Sequence, residues 1–278
     1  MALLVAVSAD ARPPAPPRIE GASDPKAGRR LVFAEEFDTL SLRRNGTGRW
    51  SPRFHYAGPD ELGSRTLPTN SEEQIYVDPQ FRGTAAEPLG LNPFSIRDGV
   101  LVITAAKADP WTRAHAWGYR YTSGLLTSRE TFSQTYGYFE IRAKLPRGQG
   151  LWPAFWLLPA DGSWPPEIDV FEVLGHKPGE VHQTVHWSQW GQHKMSHAMF
   201  DEIDASAGFH VYGVEWTAQS IRWFVDGRQT AQFPAPPGLK KPFYLLINLA
   251  VGGQWPGPAD PEAVPAEMEV DYVRVYAD

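Results

Sequence analysis

The sequence predicts an all-β fold, a sandwich or a barrel, on three observations. Runs of β-branched and aromatic residues, alternating with polar residues or continuously apolar, recur along the chain. Glycine and proline number 25 and 26, which makes 51 of 278 residues and exceeds average usage. No window carries an amphipathic helical pattern longer than two turns. Many short strands between frequent turn residues are typical of sandwiches and barrels, and they argue against helical bundles and solenoids.

Five strands follow from these runs in chain order. The pattern predicts strands over Val100–Thr104, Tyr138–Lys144, Ile221–Val225, Phe243–Val251 and Met268–Tyr276. Asp226 and Gly227 directly follow the third of these strands and are a strong signal for a two-residue hairpin turn. The sequence shows no internal repeat and no second linker, so it predicts one domain built from these strands.

Residues 1–30 are expected to precede the folded domain, which we place at residues 31–278. Ala2–Val7 is a short apolar run, and Ala9–Ala11 has the A-x-A form of a signal-peptidase site. A basic segment before the run is missing, so the run is either a signal-peptide remnant or a chance match. Pro13–Pro17 predicts a stiff, extended spacer. The apolar run is far too short to span a bilayer and nothing later does so, hence we expect no membrane partner.

Charge and cysteine content exclude several classes of function. The formal net charge of -6 and the pI near 5.8 argue against a nucleic-acid partner, because phosphate contacts need clustered Lys and Arg. The chain has no cysteine, so thiol catalysis, disulfides and thiolate metal sites are excluded.

Three acidic residues interrupt an otherwise apolar strand, Glu167–Leu174. Burying carboxylates costs several kcal/mol unless they are paired, protonated or hydrogen-bonded, so packing alone does not explain Glu167, Asp169 and Glu172. Glu167 and Asp169 share a face, whereas Glu172 would point to the opposite face of a regular strand. One β-bulge between Asp169 and Glu172 would restore it to the same face. We therefore predict a bulge and a cluster of three carboxyl groups.

Such a cluster fits acid–base chemistry on sugars. Two inward-leaning Glu side chains could bring their carboxyl groups to about 5–5.5 Å, the separation used by retaining glycosidases, although the wider inverting separation stays open. Asp169 would then share a proton and keep one Glu ionised and the other protonated. The alternative is a solvated edge strand, which the apolar residues beside the acids disfavour. Trp152 and Trp156 share a face of the preceding strand, where they could stack on sugar rings or pack in the core.

At this point the sequence resembles glycoside hydrolase family 16, which includes laminarinases, lichenases, agarases and carrageenases. The segment Glu167–Glu172 has the bulged E-x-D-x-x-E form of the family's signature. Similar segments extend over the chain from about Leu31 to its end: Ala34–Phe37, Asn70–Gln74, Tyr121–Gly124, Tyr136–Glu140, Val185–Trp187, Phe243–Gly253 and Val270–Tyr276. The resemblance implies a concanavalin-like β-jelly-roll sandwich of two antiparallel sheets with a concave substrate cleft.

The same resemblance implies roles for individual residues. Glu167 would be the nucleophile of a retaining reaction, Glu172 its acid/base and Asp169 the helper of the nucleophile. The residues expected to bind the substrate are Asn70, Trp152, Trp156, His186 and Trp255. A structural Ca²⁺ would be held by positions Glu36, Gly99 and Asp271, where the alternative for Asp271 is a strand cap. Catalysis would need no cofactor.

For the substrate, the resemblance implies a β-1,3-glucan or a mixed β-1,3/1,4-glucan, and for the protein a secreted or periplasmic bacterial monomer. The segments Phe155–Gly175 and Phe132–Phe139 are closer to members that cleave bacterial exopolysaccharides, so a succinoglycan-like polymer is the alternative substrate. A laminarinase typically has a small pair before the catalytic Glu, where this chain has Pro165 and Pro166.

Two other functions are compatible with parts of the sequence. Five histidines between His176 and His197 include two H-x-x-x-H spacings, which invite a catalytic zinc ion, although such an ion also wants a carboxylate and an open position. A non-catalytic lectin-like module can share the sandwich fold, but a pure sugar binder has no need of the Glu167–Glu172 pair.

Overall fold

A computed structural model describes residues 24–278. The predicted signal remnant and proline spacer therefore lie almost wholly outside the described residues. The strands are β1 Arg30–Glu35, β2 Gln74–Tyr76, β3 Phe94–Arg97, β4 Val100–Lys107, β5 Tyr121–Ser123, β6 Leu125–Thr127, β7 Gly137–Lys144, β8 Leu151–Pro159, β9 Glu167–Val173, β10 Val181–Gln189, β11 Gln192–Phe200, β12 His210–Trp216, β13 Ser220–Val225, β14 Arg228–Pro234, β15 Phe243–Val251 and β16 Ala266–Ala277. All five strands predicted from the sequence are present, as β4, β7, β13, β15 and β16.

Helical structure is scarce. Within residues 24–278 there is one α-helix, α1 Pro110–His115, together with single 3-10 turns at Leu62–Ser64, Pro68–Asn70 and Pro261–Ala263. Asp109 caps α1 by accepting hydrogen bonds from the backbone N–H groups of Trp111 and Thr112. None of the helices in this part of the chain is long and apolar enough to cross a membrane.

The strands form two sheets, as predicted. One has ten strands in the order β14-β13-β12-β7-β16-β4-β5-β2, with β1 beside β16 and β3 beside β4. The other has six strands in the order β11-β10-β9-β8-β15-β6. The pairing is antiparallel except between β2 and β5, which run parallel. Among the described strands, seven of the fourteen pairs join consecutive strands and seven join strands that are not consecutive, so the sandwich combines hairpins with crossovers.

The main core lies between the two sheets. It takes alternate residues of the six-stranded sheet, such as Phe155 on β8 and Phe171 on β9, and packs them against rings of the other sheet, such as Tyr212 and Trp216 on β12. Phe171 and Tyr212 have ring centroids 4.6 Å apart. Burial of each large apolar side chain stabilises the fold by roughly 1.5–3 kcal/mol. Because side chains alternate along a strand, the remaining residues of the six-stranded sheet face away from this core.

Several two-residue turns have both central residues in the left-handed region, among them those that join β13 to β14 and β10 to β11. Asp226 and Gly227 join β13 to β14 with φ values of 50° and 81°, which confirms the hairpin predicted from the sequence. Trp190 and Gly191 join β10 to β11 with φ values of 53° and 74°. This geometry is that of a two-residue hairpin turn, and it pairs Gln189 directly with Gln192. The register of β11 against β10 is therefore fixed from the turn onward.

The segment before β1 contacts the ten-stranded sheet. Lys26 Nζ lies 3.1 Å from Glu140 Oε2 on β7, and the Glu140 side chain is fully buried. Arg29 pairs with Glu215 on β12 at 2.9 Å and with Asp278 at 2.7 Å. Residues 24–29 are thus tied by ion pairs to the sheet that backs the core.

Candidate active site

A β-bulge in β9 aims all three acidic residues at one face. Asp169 pairs with Thr184 of β10 and Glu172 pairs with His182, so three residue steps on β9 face two on β10. The register of β9 against β8 shifts at the same place. The bulge predicted from the spacing of the acids is therefore confirmed. Trp223 of the other sheet donates its indole N–H to the carbonyl oxygen of Asp169 at 2.8 Å and supports the backbone at the bulge.

The acids face a cleft of about 920 Å³ on the side of the six-stranded sheet that points away from the core. Its floor carries side chains of β8, β9, β10, β11 and β15. The loop between β1 and β2 forms one wall with Phe54, Tyr56, Leu67 and Thr69. The alternation of the strands therefore separates an apolar face, which builds the core, from a face of acids, imidazoles and indoles.

Each Glu accepts a hydrogen bond from a tryptophan. Trp152 Nε1 donates to Glu172 Oε1 at 3.1 Å, and Trp164 Nε1 donates to Glu167 Oε2 at 2.6 Å. Glu167, Asp169 and His186 each have a nitrogen or carboxylate oxygen within 4.8 Å of those of the other two, so the carboxyl groups of Glu167 and Asp169 are close enough to interact. The two Glu residues thus have different partners: Glu167 has an acid and an indole, and Glu172 has an indole.

The cluster cannot ionise completely near neutral pH. Burial, followed by the charge of Asp169, raises the pKa of Glu167 to about 8. Burial also raises the pKa of Asp169 to about 7, while its hydrogen bond with Glu167 acts in the opposite direction. The pKa of Glu172 lies well above its usual range, because of burial first and then the charges of Asp169 and Glu167. Carboxyl groups this close together share protons, so their titrations are coupled.

Four of the five predicted substrate-binding residues line the cleft around the acids: Asn70, Trp152, Trp156 and Trp255. Of these four, Trp152 donates a hydrogen bond to one of the acids, Glu172. Trp152 and Trp156 both line the cleft from β8, and Trp156 donates to Asn248 Oδ1 at 2.7 Å. Trp255 meets Trp152 edge-on, with ring centroids 5.5 Å apart, and remains 42% exposed. Asn70 lines the same cleft and donates to Glu72 Oε1 at 3.1 Å.

The fifth, His186, lies beside the acids. Its Nε2 is 3.3 Å from Asp169 Oδ2, and its Nδ1 is 2.9 Å from Nε2 of His193 on β11. A second imidazole pair has the same arrangement, with His182 Nδ1 3.0 Å from His197 Nε2. In both pairs a residue of β10 meets one of β11 on the diagonal of the ladder. We name these four residues the histidine pairs.

Several cleft residues were missed by sequence reasoning. Trp164 stands next to two prolines in a loop, and nothing in its spacing shows that its indole reaches Glu167. Glu72 is a buried carboxyl group that accepts hydrogen bonds from Asn70 and Gln74. The two H-x-x-x-H spacings of the sequence each join two histidines of one strand, but in the structure the imidazoles pair between strands. Each histidine of β10 contacts a histidine of β11.

The predicted calcium positions meet beside β16. Glu36 follows β1, whose Glu35 pairs with Val273, and Gly99 precedes β4, whose Leu101 pairs with Val270. Both therefore flank Asp271, which is buried. Oδ2 of Asp271 pairs with Arg142 at 2.6 Å, a contact that the sequence did not predict, whereas Oδ1 has no hydrogen-bond partner among the described residues. An oxygen of this kind fits a hard cation such as Ca²⁺.

Fold and site together define a class. A two-sheet sandwich that carries clustered carboxyl groups and exposed tryptophans in an open cleft has the equipment of the jelly-roll glycoside hydrolases. Comparison with known proteins leads to the same class. A model of the glycosyl hydrolases family 16 matches residues 90–274.

Relatives and solved structures are similar over most of the chain. The endo-1,3-1,4-beta-glycanase ExsH of Rhizobium meliloti is 46% identical over 246 residues, covering 88% of this chain and 51% of ExsH. A beta-glucanase of Rhodothermus marinus is 38% identical over 257 residues, covering 82% of this chain and 84% of that protein. The laminarinase structure from Rhodothermus marinus superposes with a TM-score of 0.69 at 35% identity, covering 89% and 97% of the two chains. SCLam, a non-specific endo-beta-1,3(4)-glucanase, gives a TM-score of 0.73 at 31% identity and covers 96% and 94%.

This chain belongs to the glycosyl hydrolases family 16. The resemblance seen in the sequence and the jelly-roll sandwich it implied are thereby confirmed. The chain spans about half the length of the Rhizobium glycanases that it matches.

Proposed function

We propose that this protein is a retaining endo-β-glycanase that hydrolyses β-1,3-glucan or mixed β-1,3/1,4-glucan. The observation that carries the proposal is the bulge in β9, which turns Glu167, Asp169 and Glu172 to the floor of one cleft. The names of the similar proteins, which are endo-1,3-1,4-beta-glycanases and laminarinases, support the choice of β-glucan.

The environments of the two Glu residues support different roles. Glu167 has the carboxyl group of Asp169 beside it and an indole donor at Oε2, so it can lose its proton to Asp169 when a sugar is to be attacked. As nucleophile it would bond to the anomeric carbon and form a glycosyl-enzyme. Its three neighbours, Asp169, Trp164 and His186, would stabilise the carboxylate before attack and again when it leaves.

Glu172 is the group suited to move the second proton. Its pKa is raised by burial and by the charges of Asp169 and Glu167, which favours the protonated form that a general acid requires. It would donate the proton to the leaving oxygen and then take one from the water that opens the glycosyl-enzyme. Trp152 holds one of its oxygens in place through both steps.

The size of the cleft supports binding of a polymer on both sides of the acids. Lining residues reach from β15 to β11, and these strands are four steps apart in the sheet. At about 4.8 Å per step this is about 19 Å of floor, enough for several sugar residues, with the acids of β9 near the middle. An internal position of the acids favours endo action over release of single terminal sugars.

The test is product analysis on laminarin, lichenan, cellulose and a bacterial succinoglycan-type polysaccharide. We expect shorter oligosaccharides from laminarin or lichenan, and none from Glu167→Ser, while the exposed control Glu87→Ser keeps full activity. Proton NMR of the first products should show the β-anomer, as retention demands. Turnover by Glu167→Ser would overturn the assignment of Glu167 as nucleophile. Appearance of the α-anomer as the first product would overturn the retaining mechanism.

A second candidate substrate is a bacterial exopolysaccharide. It is supported by the approach to Glu167, where two prolines stand instead of a small pair and the preceding Trp164 lines the cleft. Activity on the succinoglycan-type polymer alone would select this candidate. If the wild type cleaves none of the four polymers but binds one of them, the protein is a lectin-like module.

We also propose that the protein acts outside the cytoplasm as a monomer and holds a structural Ca²⁺. Polymeric glucan does not enter cells, which supports an extracellular or periplasmic site of action. Glu36 and Gly99 would offer backbone carbonyls and Asp271 its unsatisfied Oδ1, and the ion would tie β1 and β4 to β16. Addition of Ca²⁺ to EDTA-dialysed protein should raise Tm in the wild type and not in Asp271→Asn; no effect on the wild type would exclude the ion, and a mass other than that of one chain would exclude the monomer.

A further inference from the structure

Four of the eight histidines of the chain lie on one face of the β10–β11 hairpin. The other four lie elsewhere in the chain, and all eight fall within the described residues. The proposed reaction gives a possible role to His186 only. The same diagonal imidazole pair occurs twice, and the two pairs are four residues apart along each strand. This repetition needs a separate explanation.

The distances within the histidine pairs match a chelating bite. The facing nitrogens are 3.0 Å apart between His182 and His197, and 2.9 Å apart between His186 and His193. Two nitrogens that each bind one metal ion at about 2.0–2.1 Å are this far apart when the angle at the ion is about 90°. That angle is typical of the tetragonal geometry of Cu²⁺ and Ni²⁺, whereas a tetrahedral Zn²⁺ would hold the nitrogens farther apart.

A carboxylate lies within 4 Å of the Nε2 atom of each histidine of β10. Glu180 Oε2 lies 3.8 Å from Nε2 of His182, and Asp169 Oδ2 lies 3.3 Å from Nε2 of His186. Neither contact is a hydrogen bond, and Nε2 of His182 and Oδ2 of Asp169 have no hydrogen-bond partner among the described residues, so the tautomer of these two rings is not fixed by the carboxylates. When the proton is on Nε2, the Nδ1 of His182 and of His186 presents a lone pair toward β11.

The histidines of β11 complete the sites from the solvent side. His193 and His197 are exposed, so each can move its ring proton to the other nitrogen through solvent and present Nε2 to an ion with no net release of a proton. Met195 and Met199 are about half exposed on the same face and offer soft thioethers.

We propose that each of the histidine pairs chelates one tetragonal divalent transition-metal ion of the Cu²⁺ or Ni²⁺ class at the edge of the cleft. These ions are not part of catalysis. An ion at His186 and His193 stands beside Asp169, and an ion at His182 and His197 stands beside Trp255, whose ring centroid is 4.8 Å from that of His182. Both positions compete with a polymer for the cleft, so occupancy inhibits.

The test is calorimetric titration of protein without a polyhistidine tag with NiCl2 and CuCl2 near pH 7.5. We expect two ions per chain, and tighter binding of Cu²⁺ than of Ni²⁺. His193→Gln and His197→Gln should each abolish one of the two, and the double variant should abolish both. Loss of a ligand should weaken the affected site by at least the roughly 10–100-fold that loss of an outer carboxylate partner costs.

The matched control is His176→Gln, which removes an exposed histidine from a loop outside the cleft. It should keep two ions, and all variants should keep the Tm of the wild type without metal. Electron paramagnetic resonance of bound Cu²⁺ should show two nitrogen ligands at each site. Absence of binding, or a stoichiometry that the two β11 variants leave unchanged, overturns the proposal. Because the titration uses no sugar, its failure is separate from failure of the proposed hydrolysis.

Discussion

The hydrogen bond from Trp164 to Glu167 allows the proposed nucleophile to be probed without disturbing the fold. The indole N–H donates to Glu167 Oε2 at 2.6 Å, yet the side chain is 57% exposed. Trp164→Phe removes the donor and keeps an aromatic ring against His193, whose ring centroid lies 5.1 Å away. The donor favours the ionised carboxyl group, so its loss should raise the pKa of Glu167.

The size of the effect follows from the kind of hydrogen bond. A hydrogen bond to a charged group contributes about 1.5–3 kcal/mol, and exposure of the donor places this one at the lower end. One pKa unit corresponds to about 1.4 kcal/mol, so we expect a rise of about one unit. The acidic limb of kcat/KM, which reports ionisation of the nucleophile in the free enzyme, should move up by about one pH unit. Below this limb activity should fall about tenfold, and on the plateau it should hardly change.

The assay is kcat/KM against pH on the polymer that the wild type cleaves, with Trp190→Phe as the control. Trp190 is 91% exposed in the β10–β11 turn and does not line the cleft, so its replacement should leave the profile unchanged. A uniform loss of activity at every pH would mean that Trp164 serves as a stacking surface for sugar. An acidic limb that stays in place would refute the proposed stabilisation of Glu167.

Three further predictions concern the cluster and its support. Burial and then the charge of Asp169 raise the pKa of Glu167 from 4.5 to about 8, so its proton stabilises the folded state fully below about pH 4.5, and this contribution disappears as the pH rises to 8. Glu167→Gln should therefore flatten the fall in unfolding free energy between pH 5 and pH 8, measured by urea denaturation. An unchanged slope would contradict the raised pKa. Asp169→Asn should slow hydrolysis less than loss of Glu167 and move the pH optimum, whereas an optimum that stays in place would count against a shared proton. Asn248→Ala should cost about 2–4 kcal/mol of unfolding free energy, because Trp156 Nε1 and Tyr76 Oη lose a buried partner, and a cost below about 1 kcal/mol would show that both groups find another.

Local spacing was sufficient to predict what depends on one strand. The period-two runs predicted the five strands, and the spacing of Glu167, Asp169 and Glu172 predicted the bulge, because a regular strand would have turned Glu172 into the core. Trp152 and Trp156 were placed on a shared face for the same reason, and that face lines the cleft.

Features that depend on two elements could not be predicted in this way. The histidine pairs exist because the Trp190–Gly191 turn sets the register of β11 against β10, and the sequence alone does not show which diagonal results. Likewise, Arg142 and Asp271 are 129 positions apart and meet only because β7 and β16 are neighbours. A side chain in a loop, such as Trp164, has no periodicity from which its direction could be read.

The ion pairs before β1 have a practical consequence for cutting or fusing this domain. Glu140 is fully buried, and Lys26 is its cationic partner. A fragment that starts at Leu31 loses Lys26 and Arg29 and therefore the ion pairs to Glu140 and Glu215, which should lower its stability even though Glu215 keeps Arg222 and Glu140 keeps the charge of Arg274. An expressed fragment should therefore start no later than Asp24, and a fusion partner should be joined upstream of that residue. The ion pairs of Lys26 and Arg29 with the ten-stranded sheet are then kept.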